Sequence, residues 1–256
     1  MKSLQPLFFL SGLLIVVGLA CGAAGAGGSP TQPLQQEATK APEPTTVPTD
    51  LPPTEVPPTE VPPTPKPTEL PAFFTEEFDG DLDNWTYFVN YGEESGVALN
   101  AENAKLNINI TSKQTSMYIF YTPYIYTDVV IEVKANNAGK NNNNVSLVCR
   151  YNEADRTWYE FNIANNGLYW ILAFIDNEYK EIYSGGSNLI KQGTDTNVYK
   201  ASCIGNALSL FINGQEVRTI EDSTHGLSEG QVGLSVTSFD VLPIEIDFEY
   251  FSIAER

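Results

Sequence analysis

From Phe73 to the C-terminus, apolar and polar residues alternate in short runs, most of them closed by Gly, Asn, Asp or Pro. A period of two puts successive side chains on opposite faces of an extended chain, so the pattern predicts strands with one face turned to a core. The densest stretch is 145–175, VSLVCRYNEADRTWYEFNIANNGLYWILAFI, where NEADR and ANNG separate three runs. These predict three consecutive antiparallel strands in a meander.

In the first run Val145, Leu147, Cys149 and Tyr151 point one way, and Ser146, Val148 and Arg150 the other. The second divides Tyr159, Phe161 and Ile163 from Trp158, Glu160 and Asn162. The third, 168–175, is apolar on both faces, which suits a strand covered on each side or one that lines an aromatic cleft.

Upstream, strands are predicted over 73–78, 85–90, 96–99, 105–110, 117–121 and 127–135, and downstream over 179–183, 198–204, 231–237 and 244–253. LSLFI and QEVRTI flank Asn213-Gly214, a strong two-residue hairpin signal. No stretch has a convincing helical period. Many short, closely spaced strands predict an all-β fold, a two-sheet antiparallel β-sandwich or jelly roll.

Composition separates this body from what precedes it. Fourteen of the 17 prolines lie between Pro30 and Pro71. A tract so rich in Pro, Thr and Glu cannot bury enough apolar surface to offset chain entropy, so it is expected to stay extended and solvated. From Pro52 it repeats PPTEV, PPTEV and PPTPK, a polyproline-II pattern. At roughly 3.1 Å per residue such a tether reaches on the order of 100 Å. The expected domains are therefore a signal segment at 1–20, an anchor cysteine and tether at 21–71, and one folded domain at 72–256.

The first 20 residues have one early lysine and an apolar core from Leu7 to Leu19, which is export-signal architecture and short for a membrane span. Cys21 directly follows Ala20. This resembles the lipobox of bacterial lipoproteins, which implies lipidation of Cys21 and a membrane contact through that anchor alone. Gly18 and Leu19 depart from the usual Leu and small residue at those places, so cleavage after Ala20 with free secretion, or an uncleaved anchor, stays open.

The net charge is −18, and residues 72–256 hold 26 acids against 11 bases, a balance of −15. A surface of that sign repels phosphate backbones and excludes nucleic acid as a partner class. Cys149 and Cys203, both on predicted strands, form the one possible disulfide of the folded part.

The opening FxxxFDGxLxNW from Phe74, the pairing of LVCRYNEADRTWYEFNI with GLYWI, the NALSLFINGQEV hairpin, GQVGLSV and the closing IDFEYFSI resemble the concanavalin A-like lectin/glucanase superfamily. Within it they are most similar to the jelly-roll domain of 3-keto-disaccharide hydrolase-type proteins. The likeness spans the folded part and implies its fold. It implies little about activity, because the shared residues are turn and core residues.

Candidate chemistry is sparse. Glu245, Asp247 and Glu249 resemble the E-I-D-x-E strand of family-sixteen glycoside hydrolases, which implies a nucleophile, a tuning carboxylate and an acid/base. Alternation puts all three on one face, and a retaining mechanism needs two carboxyls about 5–5.5 Å apart. Only seven residues follow Glu249, however, and a closing strand with its polar side outward gives the same pattern.

Asp79, Asp81 and Asp83 have the rhythm of a calcium loop, but Asn84 and Asn90 stand where its glycine and glutamate belong; a structural calcium or an acidic turn both fit. The single histidine, His225, leaves no histidine-rich metal or triad site. A carbohydrate face remains. Arg150, Trp158, Glu160 and Asn162 share a predicted face that Trp170 can join, a mixture of ring faces and hydroxyl partners that suits a glycan. The competing reading makes both tryptophans core residues and Arg150–Glu160 a cross-strand ion pair. The expectation is a cell-envelope protein that binds glycan without cleaving it, with a glycoside-active enzyme or a protein-binding surface module as alternatives.

Overall fold

The computed structural model describes residues 69–140 and 142–256. The signal segment, Cys21 and nearly all of the tether lie outside the described residues. Fifteen strands follow in order: β1 (Phe74–Glu76), β2 (Trp85–Tyr91), β3 (Val97–Ala101), β4 (Leu106–Ile110), β5 (Ser116–Tyr126), β6 (Val129–Asn137), β7 (Asn143–Asn152), β8 (Thr157–Ala164), β9 (Leu168–Ile175), β10 (Glu178–Gly186), β11 (Thr196–Ile204), β12 (Ala207–Ile212), β13 (Gln215–Glu221), β14 (Gly230–Ser238) and β15 (Ile244–Ala254).

They form two antiparallel sheets. One is ordered β10-β9-β8-β7-β14-β5-β2; the other is ordered β13-β12-β11-β6-β15-β4-β3, with β1 added on β15. The fold is the expected all-β sandwich, and the predicted meander is the run β7-β8-β9, extended by β10. At the hairpin tips Asn213 and Gly214, and Asp176 and Asn177, all have positive φ, the backbone that lets a two-residue turn follow the twist of its strands.

Between the sheets lies one large apolar core. It takes Leu106, Ile108 and Ile110 from β4, Leu147 and Cys149 from β7, Phe161 and Ile163 from β8, and Ile246 and Phe248 from β15. Trp85 is buried in it against Phe78, Tyr121 and Phe251, as an anchor after the first turn. The disulfide joins Cys149 on β7 to Cys203 on β11, Cα atoms 6.7 Å apart, and therefore ties one sheet to the other.

Bulges interrupt the alternation on several strands, among them β15 between Phe248 and Tyr250, and the one that changes the candidate site lies in β7. Cys149 faces Tyr159 and Asn152 faces Thr157, so β7 carries one residue more than β8 between those pairs. The extra residue makes a β-bulge with Arg150 at φ 56°. It exchanges the faces of the next two side chains. Tyr151, expected in the core with Cys149, joins the opposite face instead. Arg150, expected beside Trp158 and Glu160, turns to the other side, where its guanidinium donates to the carbonyls of Thr127, Gly205 and Leu227. It lies over the Tyr159 ring, and burial pulls its pKa down. No Arg150–Glu160 ion pair forms.

Candidate functional site

The outer face of the seven-stranded sheet carries a second, smaller cluster. Tyr118, Phe120, Val148, Tyr151, Trp158 and Phe174 are buried there, with Phe88 and Tyr179 packed against them. Trp158 stacks on Phe174 at 4.0 Å between centroids and Phe120 on Tyr151 at 3.8 Å. Gly233, on β14, makes room for this. A Cβ there would lie 2.7 Å from the Phe120 ring and 2.1 Å from the Ile119 carbonyl oxygen.

At the centre of the cluster sits Glu160, 1 % exposed. Both of its oxygens accept hydrogen bonds. Oε2 takes Tyr118 Oη at 2.8 Å and Trp158 Nε1 at 3.1 Å; Oε1 takes Ser146 Oγ at 2.7 Å and Asn162 Nδ2 at 2.9 Å. Tyr118 Oη, whose proton goes to Glu160, accepts from Tyr179 Oη at 2.5 Å. Burial first, and the neighbouring Glu160 next, push the Tyr118 phenol well above its ordinary range; the same two causes raise Tyr179.

The roof over Glu160 comes from the two edge strands of the same sheet, with Phe88 on β2 and Tyr179 on β10. Tyr91 and Tyr179 approach to 6.3 Å. Arg156 lies over Phe88 and donates to Asn90 Oδ1 at 2.8 Å. Trp158, expected to offer a ring to solvent, is 0 % exposed, so it builds this cluster rather than an open platform.

Beside the roofed half, the same face is polar and only partly open: Trp170, Asn162 and Thr237 are half-buried, and Asn144 and Ser116 are each 8 % exposed. Pairing places Trp170 opposite Asn162, Asn162 opposite Ser146, and Asn144 opposite both Ala164 and Thr237. Thr237 lies opposite Ser116, and Ser116 opposite Tyr91. The result is a strip with a half-buried tryptophan at one end, an exposed tyrosine at the other, and amides and hydroxyls between. Asn144 Nδ2 donates to Asn162 Oδ1 at 2.5 Å, and Ser116 and Thr237 share a hydroxyl bond of 2.8 Å. At the Tyr91 end the strip opens into a pocket of about 730 Å³ lined by Glu93, Lys113, Gln114, Phe239 and Asp240. Sequence reasoning found Asn162 and Trp170 but missed Asn144, Ser116, Thr237 and Tyr91. Asn144 lies one residue before the predicted strand that starts at Val145, and nothing local shows that β14 enters between β7 and β5.

The other sequence-derived candidates lie elsewhere. Ile244, Ile246 and Phe248 of β15 face the core, and Glu245, Asp247 and Glu249 face outward on the eight-stranded sheet. Asp247 accepts from Asn107 Nδ2 at 2.8 Å and lies 3.9 Å from Lys105; Glu249 pairs with Lys134 at 2.6 Å. Asp79, Asp81 and Asp83 are exposed in the β1–β2 turn, where Asp81 Oδ1 caps the Asp83 N–H. Among the described residues no cluster of three or more His, Cys, Asp or Glu side chains is placed to hold a metal ion. His225 pairs with buried Asp222, which also accepts from Tyr159 and the Thr224 N–H.

No family model matches the chain, and no curated protein matches it. Solved structures do. A β-glucanase from Bacillus licheniformis is similar with 12 % identity over 73 % of this chain and 100 % of its own, at a TM-score of 0.55. A glycoside hydrolase family 16 protein of the Bacteroides ovatus mixed-linkage glucan locus, in complex with a product, has 10 % identity over 71 % and 99 % at a TM-score of 0.54. A Bacillus subtilis protein of unknown function with a galectin-like fold has 9 % over 71 % and 94 % at 0.55. At these identities the likeness establishes the jelly-roll fold alone.

Proposed function

We propose that the chain is a non-catalytic carbohydrate-binding module whose ligand lies along the open strip from Trp170 to Tyr91. The observation that carries this reading is the combination of an aromatic at each end with an uncharged, hydrogen-bonded floor of Asn162, Asn144, Thr237 and Ser116. Sugar rings stack their C–H faces on aromatic side chains and exchange hydroxyl bonds with amides.

The ligand class is a neutral glycan. The floor carries no charge, the pocket beyond it has acids as well as Lys113, and a folded part at −15 repels uronates and sulfated chains. Two of the structural neighbours are named for β-glucan or mixed-linkage glucan, which makes β-glucans the first probes. A glycan array on the full chain tests the reading. Signal on neutral β-glucans that Trp170→Ala removes supports it; a blank array, or signal confined to anionic chains, contradicts it.

A second reading, a glycoside hydrolase, draws support from the matched solved structures, most of which are named as glucanases or glycoside hydrolases. Against it, Glu160 is sealed under aromatic rings with both oxygens engaged, and the Glu245–Glu249 triplet lies on the outward face of the other sheet, where Asp247 and Glu249 pair with lysines. Reducing-end release from β-glucan, abolished by Glu249→Gln, would favour the enzyme.

We also propose that the domain is displayed at the cell envelope by lipid on Cys21. The sequence of an apolar leader, a cysteine and a Pro/Thr spacer supports this. Incorporation of labelled palmitate that Cys21→Ala eliminates is the expected result; equal labelling of both proteins, or none, would contradict it.

A further inference from the structure

We infer that buried Glu160 sets the hydrogen-bond polarity of the open strip, and is thereby a specificity-determining positioning residue for the glycan. This rests on the reading of the strip as a ligand floor, but the polarity itself is a property of the unliganded protein.

A carboxylate can only accept, so every group around Glu160 must turn a donor toward it. Asn162 therefore presents Nδ2 to Glu160 Oε1 at 2.9 Å and to Ser146 Oγ at 3.0 Å, since the Ser146 proton is itself given to Glu160. With its amide nitrogen turned inward, Asn162 has only Oδ1 to offer Asn144. Asn144 must then meet it with Nδ2, as observed at 2.5 Å. That leaves Asn144 Oδ1 as the end of the relay, an acceptor with no partner among the described residues, beside the Ser116–Thr237 hydroxyls. Two residues from the carboxylate, the strip reads a sugar hydroxyl as a donor.

Replacing the carboxylate with an amide makes the relay visible. Glu160→Gln keeps the shape but must point one N–H₂ at former donors. Serine and tyrosine hydroxyls can reverse; the Trp158 indole N–H cannot. Glutamine therefore keeps its oxygen toward Trp158 and Tyr118 and turns its nitrogen toward Ser146 and Asn162. Asn162 then flips to present Oδ1 inward, its nitrogen faces Asn144, and Asn144 flips in turn to present Nδ2 to the strip. The acceptor becomes a donor.

The experiment is NMR on the full chain, reading the side-chain amide protons of Asn144 and Asn162 by their nuclear Overhauser contacts. In the wild type the Asn162 amide protons should contact Ser146 and those of Asn144 should contact Asn162. In Glu160→Gln both amides should be reversed. An Asn162 amide turned away from Glu160 in the wild type contradicts the inference without any variant, so a misfolded mutant does not shelter it. Unreversed amides in Glu160→Gln also overturn it.

A second arm uses a mixed-linkage β-glucan tetrasaccharide and its deoxyfluoro analogues, since fluorine accepts weakly and cannot donate. One analogue should lose about tenfold in affinity for the wild type and less for Glu160→Gln. If the wild type binds no glycan, the ligand reading fails while the amide orientations still decide the relay. If glycan binds and every analogue ranks alike in both proteins, the role in specificity fails.

Discussion

The two outward faces of this sandwich are built by the same alternation and put to opposite uses. On the eight-stranded sheet the outward residues are charges in near-neighbour pairs: Lys105 with Asp247, Lys134 with Glu249, and Lys200 with Glu132 at 2.8 Å. On the seven-stranded sheet they are aromatics and amides, with one buried carboxylate that no cation neutralises and four side-chain donors satisfy. The first face suits solvent. The second is dry along half its width, and along the rest it has an uncharged polar floor with charges only at its ends, Glu181 near Trp170 and Glu93, Lys113 and Asp240 near Tyr91. Period-two patterning tells which residues share a face; the chemistry of those residues tells whether the face meets water or a ligand.

Breaking what both faces share should cost most. Replacing Cys149 and Cys203 together by alanine releases a link across 54 residues between the sheets and should destabilise by roughly 4 kcal/mol in urea unfolding. Glu160→Leu comes next. It strands the fixed Trp158 indole N–H in a closed cluster, removes the acceptor of Tyr118, Ser146 and Asn162, and should cost about 3 kcal/mol.

Trp170→Ala leaves the buried network intact, so its main effect should be on binding, a loss of about tenfold in affinity for a neutral β-glucan. Glu249→Gln on the opposite face should change stability by less than about 0.5 kcal/mol and leave binding unaltered.

Asp222, at neither face, gives the pH dependence. Burial alone would raise its pKa, but hydrogen bonds from Tyr159, the Thr224 N–H and His225 outweigh that and hold it below the usual carboxylate range. A depressed folded pKa means stability that is present above the unfolded value and lost as pH falls through the folded one. Stability should therefore drop progressively below about pH 4. Asp222→Asn should flatten that part of the acid limb in a pH series of denaturant midpoints.

The positions of the strands were legible because turn residues punctuate nearly every run, and the core strand LNINI of β4 has the alternating burial its pattern implies. Two things were not. The bulge at Arg150 needs a residue count against a partner strand, and the pairing of β7 with β8 past the turn fixes that count only in three dimensions. The open strip draws Asn144, Asn162, Thr237, Ser116 and Tyr91 from five strands, and the order β8-β7-β14-β5-β2 follows from packing rather than from neighbourhood in sequence. Trp158 shows a third limit. Its face was readable, but its burial depends on Phe88 and Tyr179 closing over it from opposite edges of the sheet.

Calorimetric titration of the full chain with a mixed-linkage β-glucan oligosaccharide, in the wild type, Trp170→Ala and Glu249→Gln side by side, tests the central claim most directly. The account predicts binding by the wild type, the same binding by Glu249→Gln, and a loss of about tenfold for Trp170→Ala. Undiminished affinity in Trp170→Ala, or binding lost in Glu249→Gln, would contradict it.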